Sequence, residues 1–296
     1  MTVSAVIQSR LSILAIRVAF AFHGVVTAPI GHGFFVARKV QIMKIIGLVP
    51  ARMAASRFPG KPLYPILGRP MLEHVFERAR LFPRWDALAI CTCDEEIREF
   101  AESKGYPVVM TANTHTRALD RVAEAVTKCG LDVAEDDIVL NVQGDEPMMH
   151  PDMIAAAVAP LEHRSEVRGS MVCMDIVEES QFRNPDILKI IHDLSGRVLY
   201  TSRQPLPYCK QFTPELGAKR IYGIFGFRWE FLKLFTSLAP SPLEIKEACD
   251  SNRLYDYGYH QYIAPYPYQP SYSVDSPQDI GLVEAAMQDD PLWGHY

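Results

Sequence analysis

The stretch KIIGLVPARMAASRFPGKPL, residues 44–63, decides how the chain is read. Ile45, Ile46, Leu48 and Val49 make a short apolar run of the kind a buried parallel strand shows, and Pro50 ends it. A loop of small residues follows and carries Arg52, Arg57 and Lys61. Three cations just past a strand contribute little to a core. They suit phosphate, because ligands of open α/β sheets sit outside the carboxyl ends of the strands. Gly60 and its small neighbours let backbone N–H groups approach a ligand and add to that field. A solvated basic loop is the competing reading, and the remainder of the chain has to decide.

Working outward, strand-like and helix-like segments alternate. Pro70 can open a helix in which Leu72, Val75, Phe76 and Ala79 recur at helical spacing. Strands are expected at 87–92, 108–111 and 138–142. Between them fall a helix at 94–104, capped by Asp94 and ended by Gly105, and one around Leu119–Val126 stopped by Gly130. This alternation predicts an α/β protein with a Rossmann-like, mostly parallel sheet and helices on both faces. The strand at 138–142 runs into Gln143-Gly144-Asp145-Glu146-Pro147. An acidic pair there either caps the next helix or binds a hard divalent cation together with substrate phosphates. A basic loop and an acidic strand end in one sheet point to a magnesium–nucleotide site.

The second half is richer in strands. Segments 171–177, 187–193, 198–202, 221–228 and 259–266 read as strands, with Ser195-Gly196 as a hairpin signal. RQPLPY (203–208) should be extended and cross towards a partner. Helices are expected at 229–237 and around 243–256. At the end, SVDSPQDIGLVEAAM (273–287) places Asp275 just before a helix that Ser276 can cap. Asp275 is either a partner of that helix's dipole or a second carboxylate for the metal.

Composition narrows the class. The chain has 296 residues and a net charge of −5, which argues against general nucleic-acid binding. Its six cysteines form no pair of CxxC motifs, so structural zinc is not expected and free thiols in a reducing, cytoplasmic compartment are. Residues 1–42 stand apart: they lack Asp and Glu and carry Arg10, Arg17, Arg38 and Lys39. A membrane anchor, a transit peptide and an upstream extension before Met43 compete here, and the extension is preferred because Met43 immediately precedes the first strand. Membrane contact is expected only if this segment serves as an anchor. The folded domain is expected to be 43–296.

From Met43 almost to the end, the chain resembles the 3-deoxy-manno-octulosonate (Kdo) cytidylyltransferases, or CMP-Kdo synthetases. The resemblance rests on PARMAASRFPGKPL (50–63), NVQGDEP (141–147), LYTSRQPLPY (199–208) and VDSPQD (274–279). It implies a magnesium-dependent homodimer with a smaller β-rich part for dimerisation and sugar binding. It also implies that CTP and an acidic sugar react to a CMP-sugar and pyrophosphate. By position, Pro50, Ala51, Arg52, Lys61, Arg121 and Gln143 fall to the nucleotide, with Arg52, Lys61 and Asp145 catalytic. Asp145 and Asp275 match the metal-binding aspartates, and Arg203 and Asp250 lie on the sugar side. The sequence departs from the family at Arg117-Ala118-Leu119 in place of Ser-Gly-Thr, at Cys93 in place of an acid, at Ile221 in place of His, and at Asp250-Ser251-Asn252. Phosphate and metal elements are kept while recognition elements change. The expected acceptor is Kdo or a close relative, and the changed recognition elements point towards an amino or deoxy relative or another acid such as a sialic acid analogue; a nucleotidyltransferase for a different acceptor and a non-catalytic nucleotide-binding homologue are the competing readings.

Overall fold

A computed structural model describes residues 43–54 and 57–296. The expectations for residues 1–42 lie outside the described residues. The strands are β1 (Ile45–Pro50), β2 (Pro65–Ile66), β3 (Arg69–Pro70), β4 (Ala87–Thr92), β5 (Val108–Met110), β6 (Ile138–Val142), β7 (Gly169–Asp175), β8 (Lys189–His192), β9 (Val198–Ser202), β10 (Lys219–Arg228) and β11 (Tyr262–Pro265). The helices are α1 (Met71–Arg80), α2 (Glu95–Ser103), α3 (Ala118–Lys128), α4 (Pro151–His163), α5 (Glu179–Arg183), α6 (Trp229–Ser237), α7 (Pro242–Glu247), α8 (Asn252–Asp256) and α9 (Asp279–Gln288).

One sheet runs in the order β11-β7-β10-β6-β1-β4-β5, and β8 joins β10 to β9 as a side arm. The pairs β1–β4, β1–β6, β4–β5 and β11–β7 are parallel. Only β10 runs against its neighbours on this path, lying antiparallel to both β6 and β7. All six residues of β1 are buried, as expected of a strand covered on both faces. Helices α1, α2 and α4 cover one face through Leu72, Phe76, Ile97, Ile154 and Leu161. On the other face α3 and α6 contribute Leu119, Val122, Phe231 and Phe235. Each such buried side chain contributes roughly 1.5–3 kcal/mol.

Local expectations are corrected at four points. The helix around 243–256 is two short helices, α7 and α8, because Ala248 takes the left-handed conformation at φ 48°. The turn brings Arg253 against Glu244, whose fully buried carboxylate receives Nε and Nη2 at 2.8 and 2.7 Å. That charge pair holds the turn against the strain at Ala248. Asp94 does not cap α2 with its side chain; its carboxylate accepts the Met53 N–H at 2.7 Å and so fixes the start of the basic loop. At α9 Ser276 does not cap the helix; its hydroxyl and the N–H groups of Asp275 and Ser276 donate to the carboxylate of Asp279, the first helical residue. The strands expected at 171–177, 187–193 and 259–266 are shifted or shorter, at Gly169–Asp175, Lys189–His192 and Tyr262–Pro265.

Candidate active site

Because β1 and β6 are adjacent and parallel, the basic loop and the Gln143–Glu146 turn leave the same edge of the sheet. They touch closely there: a Cβ on Gly144 would lie 2.6 Å from the Pro50 carbonyl oxygen, so only glycine fits. The loop closes on itself where Gly60 N–H donates to Met53 O at 2.9 Å, with Gly60 left-handed at φ 76°. Lys61 follows in a single 3₁₀ turn. The last motif is brought in by backbone: Val274 N–H donates to Asp145 O at 3.0 Å, which sets Asp275 beside Asp145.

These contacts build a cavity of about 280 Å³ lined by Pro50, Ala51, Arg52, Lys61, Arg121, Gln143, Asp145 and Asp275. All the residues expected to hold nucleotide or metal thus gather in one place. Arg52 is exposed on the rim. The Lys61 ammonium donates to Val274 O at 2.6 Å and pairs with Asp145 at 3.0 Å. Arg121 is buried and donates to the Thr111 hydroxyl and to Ala112 O. Gln143 is held by its N–H on Gly223 O at 2.8 Å, so β10 fixes the far wall.

A second cavity, about 630 Å³, adjoins the first and shares Arg57, Gln143, Asp145 and Asp275 with it. Arg203, Arg220 and Ile221 line it, as do Glu146, Glu178 and Asp186. Arg203 is tied to loop carbonyls, with Nε on Glu247 O and Nη1 on Pro185 O, both at 2.8 Å. Glu146 is buried and accepts from Ser273 Oγ at 2.7 Å and Gly223 N at 3.2 Å. Burial, then the charge of Asp145, pushes its carboxyl up to about 7. Asp250 lines neither cavity. Its carboxylate stands 3.5 Å from Arg117, and burial raises it to about 6 despite that cation.

Arg220 and His115, not singled out in the sequence, and Arg117, noted there only as a departure from the family, complete the walls. Arg220 is buried in the second cavity and reaches only the carbonyls of Ile221 and Ser271, both at 3.5 Å. His115 and Arg117 line the first cavity. Arg220 and Ile221 are consecutive in the regular part of the β10–β7 pairing, yet both line the second cavity, which simple alternation does not foretell.

Asp275 is raised above the usual carboxylate range, first by burial and then by the Asp145 charge. Two facing carboxylates are hard oxygen donors, and among the described residues no group of three or more His, Cys, Asp or Glu side chains gathers. A cation there would take two protein oxygens and fill its remaining positions from phosphate and water, the habit of magnesium. A single sheet with a phosphate-type loop, a carboxylate pair and an adjoining polar cavity defines a nucleotidyltransferase-type site.

The comparisons narrow that class. The cytidylyltransferase family model matches residues 46–263, and the chain belongs to this family. It is 40% identical over 241 residues to a 3-deoxy-manno-octulosonate cytidylyltransferase of Nitratidesulfovibrio vulgaris (strain DP4), covering 80% of this chain and 93% of the relative. An 8-amino-3,8-dideoxy-manno-octulosonate cytidylyltransferase of Shewanella halifaxensis is 36% identical over 246 residues, covering 83% and 99%. Among solved structures, a CMP:2-keto-3-deoxy-manno-octonic acid synthetase complexed with CTP superposes with a TM-score of 0.74 at 28% identity, covering 83% of this chain and 99% of that one. Among the described residues, no helix is long and apolar enough to cross a membrane.

Proposed function

We infer that this cytidylyltransferase couples CTP to Kdo or a close relative, giving a CMP-sugar and pyrophosphate. The observation that carries the reading is the junction of two cavities at Asp145 and Asp275. One cavity is walled by the cations of the basic loop, and the other by Arg203 and Arg220. A triphosphate fits the first, and an acidic sugar the second, with the α-phosphate at the junction.

In this reading Arg52 and Lys61 hold the triphosphate, and Pro50, Ala51, Arg121 and Gln143 lie against the nucleoside. Asp145 and Asp275 are the residues that would hold magnesium. Bound there, magnesium would neutralise phosphate charge and lower the pKa of the attacking hydroxyl. The protein's own contribution is position: in-line transfer needs aligned reactants and fixed counter-charge more than covalent help. Lys61 is suited to this, because Val274 O and Asp145 fix its ammonium before substrate arrives. Arg220 is the stronger candidate for the sugar carboxylate, since its guanidinium lacks a short partner while Arg203 is engaged with loop carbonyls.

The preferred acceptor in this proposal is an amino or deoxy relative of Kdo. Ile221 places an apolar side chain in the second cavity, and Glu146, Glu178 and Asp186 offer carboxylates to an amino group. A homodimer through the β8–β9 arm belongs to the same reading, as Leu194, Leu199 and Tyr208 stand exposed there. A reducing cytoplasm suits six free cysteines. Parallel turnover of Kdo and 8-amino-Kdo with CTP tests the acceptor. Equal or better use of Kdo overturns the preference and leaves the reaction class standing.

A further inference from the structure

Arg57 sits where the two cavities meet and lines both. Its Nη2 lies 2.7 Å from Asp275 Oδ1 and its Nη1 lies 2.7 Å from Asp186 Oδ1. The other carboxylate of the pair, Asp145, is held by Lys61 at 3.0 Å. Both aspartates assigned above to the metal are thus already neutralised, each by a different cation of one loop. A divalent ion approaching Asp275 meets the charge of the guanidinium bonded to Oδ1 and is repelled by it. A triphosphate must compete with two aspartates for the same guanidinium.

We propose that Arg57 is the resident cation of the metal carboxylate Asp275 and is exchanged for the metal, being handed to the triphosphate as the metal enters. This rests on the reading of Asp145 and Asp275 as the metal pair. The exchange leaves Asp275 with a cationic partner at each stage. Burial and then the Asp145 charge raise the Asp275 carboxyl, and without metal Arg57 offsets part of both. With metal, that task passes to the ion, and the freed guanidinium faces the phosphate oxygens of the same cavity. Half of the Arg57 side chain is exposed, as is nearly half of Asp186, so the pairs are weak enough to break. A metal entering alone must break the Arg57 pair uncompensated. A metal entering with CTP exchanges it for a charge-assisted bond to phosphate. Metal and nucleotide therefore bind cooperatively, beyond their own association in solution. Withdrawal of Arg57 also frees Asp186, which then has only Arg203, at 3.8 Å, beside it in the acceptor cavity.

The test is Mn²⁺ binding to the full chain without nucleotide, by calorimetry and water-proton relaxation, for the wild type and Arg57→Gln. The variant is expected to bind Mn²⁺ more tightly, on the order of two- to five-fold, as loss of an exposed ion pair implies. With saturating Mn²⁺, the same variant is expected to bind a CTP analogue carrying a non-cleavable α–β bridge about ten-fold more weakly, since a charge-assisted bond is lost. A role limited to holding the loop would weaken both ligands together. Unchanged or weaker Mn²⁺ binding in Arg57→Gln overturns the exchange. Unchanged analogue binding overturns the transfer to phosphate. Asp275→Asn separates the premises: Mn²⁺ binding at wild-type strength in that variant overturns the metal assignment itself.

Discussion

Replacing Lys61 by Met tests the site with little disturbance to the fold. Only 13% of the Lys61 side chain is exposed, and its ammonium makes two contacts, to Val274 O at 2.6 Å and to Asp145 at 3.0 Å. Methionine keeps the apolar stem and deletes the charge. Asp145 remains one-third exposed and can be rehydrated, so the folding cost is about that of one hydrogen bond to a charged group, roughly 1–2 kcal/mol. For a domain of this size that lowers Tm by about 2–6 °C and leaves the enzyme folded at 25 °C. The catalytic cost is larger, because a prepositioned donor to developing phosphate charge is worth about 100- to 1,000-fold in rate. Pyrophosphate release under CTP and acceptor saturation, with far-UV circular dichroism as a check, should show that fall in kcat. A purified, folded Lys61→Met enzyme with kcat within about five-fold of wild type would refute the argument, since among the described residues no other lysine lines this cavity.

Further outcomes concern the scaffold. Gly144→Ala forces a Cβ to 2.6 Å from Pro50 O, so the two strand ends must part. The expected cost is about 1–3 kcal/mol with a matching loss of activity, read by urea unfolding and turnover. Arg253→Met strands the fully buried Glu244 carboxylate, with only the more distant Arg117 at 3.4 Å to compensate, and should cost about 3–5 kcal/mol. The double variant with Glu244→Met should recover much of it in thermal melts. Glu146 gives a pH signature. Its folded carboxyl lies near 7 against an ordinary 4.5, so the folded state keeps a proton that the unfolded chain has released. That contribution to stability declines as pH rises from about 4.5 to about 7. Glu146→Gln should therefore gain stability relative to wild type at pH 8, by about 1–3 kcal/mol, and much less at pH 4.5. A gain independent of pH would contradict the assigned cause.

Much of this was legible before any coordinates. The apolar runs of β1 and β6 mark themselves, because strands buried on both faces lose their alternation. Gly105, Gly130 and Gly196 end two helices and turn a hairpin at φ 71°, 75° and 83°, conformations the sequence flags through glycine. Most residues of the first cavity could be singled out because two local motifs, 50–63 and 141–147, carry them. The acceptor side was harder. Strand β10 enters between β6 and β7 in the opposite direction, a non-local pairing that hydrophobic pattern does not encode. Arg220 and Ile221 both line the same cavity, where alternation would separate them. Asp250 looked like a sugar ligand by position, but the turn at Ala248 directs it to Arg117. Asp94 has a good capping residue type, yet the Met53 N–H takes its carboxylate. At Asp94 and Asp250 the local signal gave way to a partner from elsewhere in the fold.

The most direct measurement is pyrophosphate release by the full chain with magnesium, each nucleoside triphosphate being offered with and without an acidic eight-carbon sugar of the Kdo type. The account predicts release with CTP that requires both the sugar and the metal, together with a CMP-sugar in equal amount. Release of a nucleoside diphosphate in place of pyrophosphate, or transfer supported by another triphosphate and not by CTP, would contradict it.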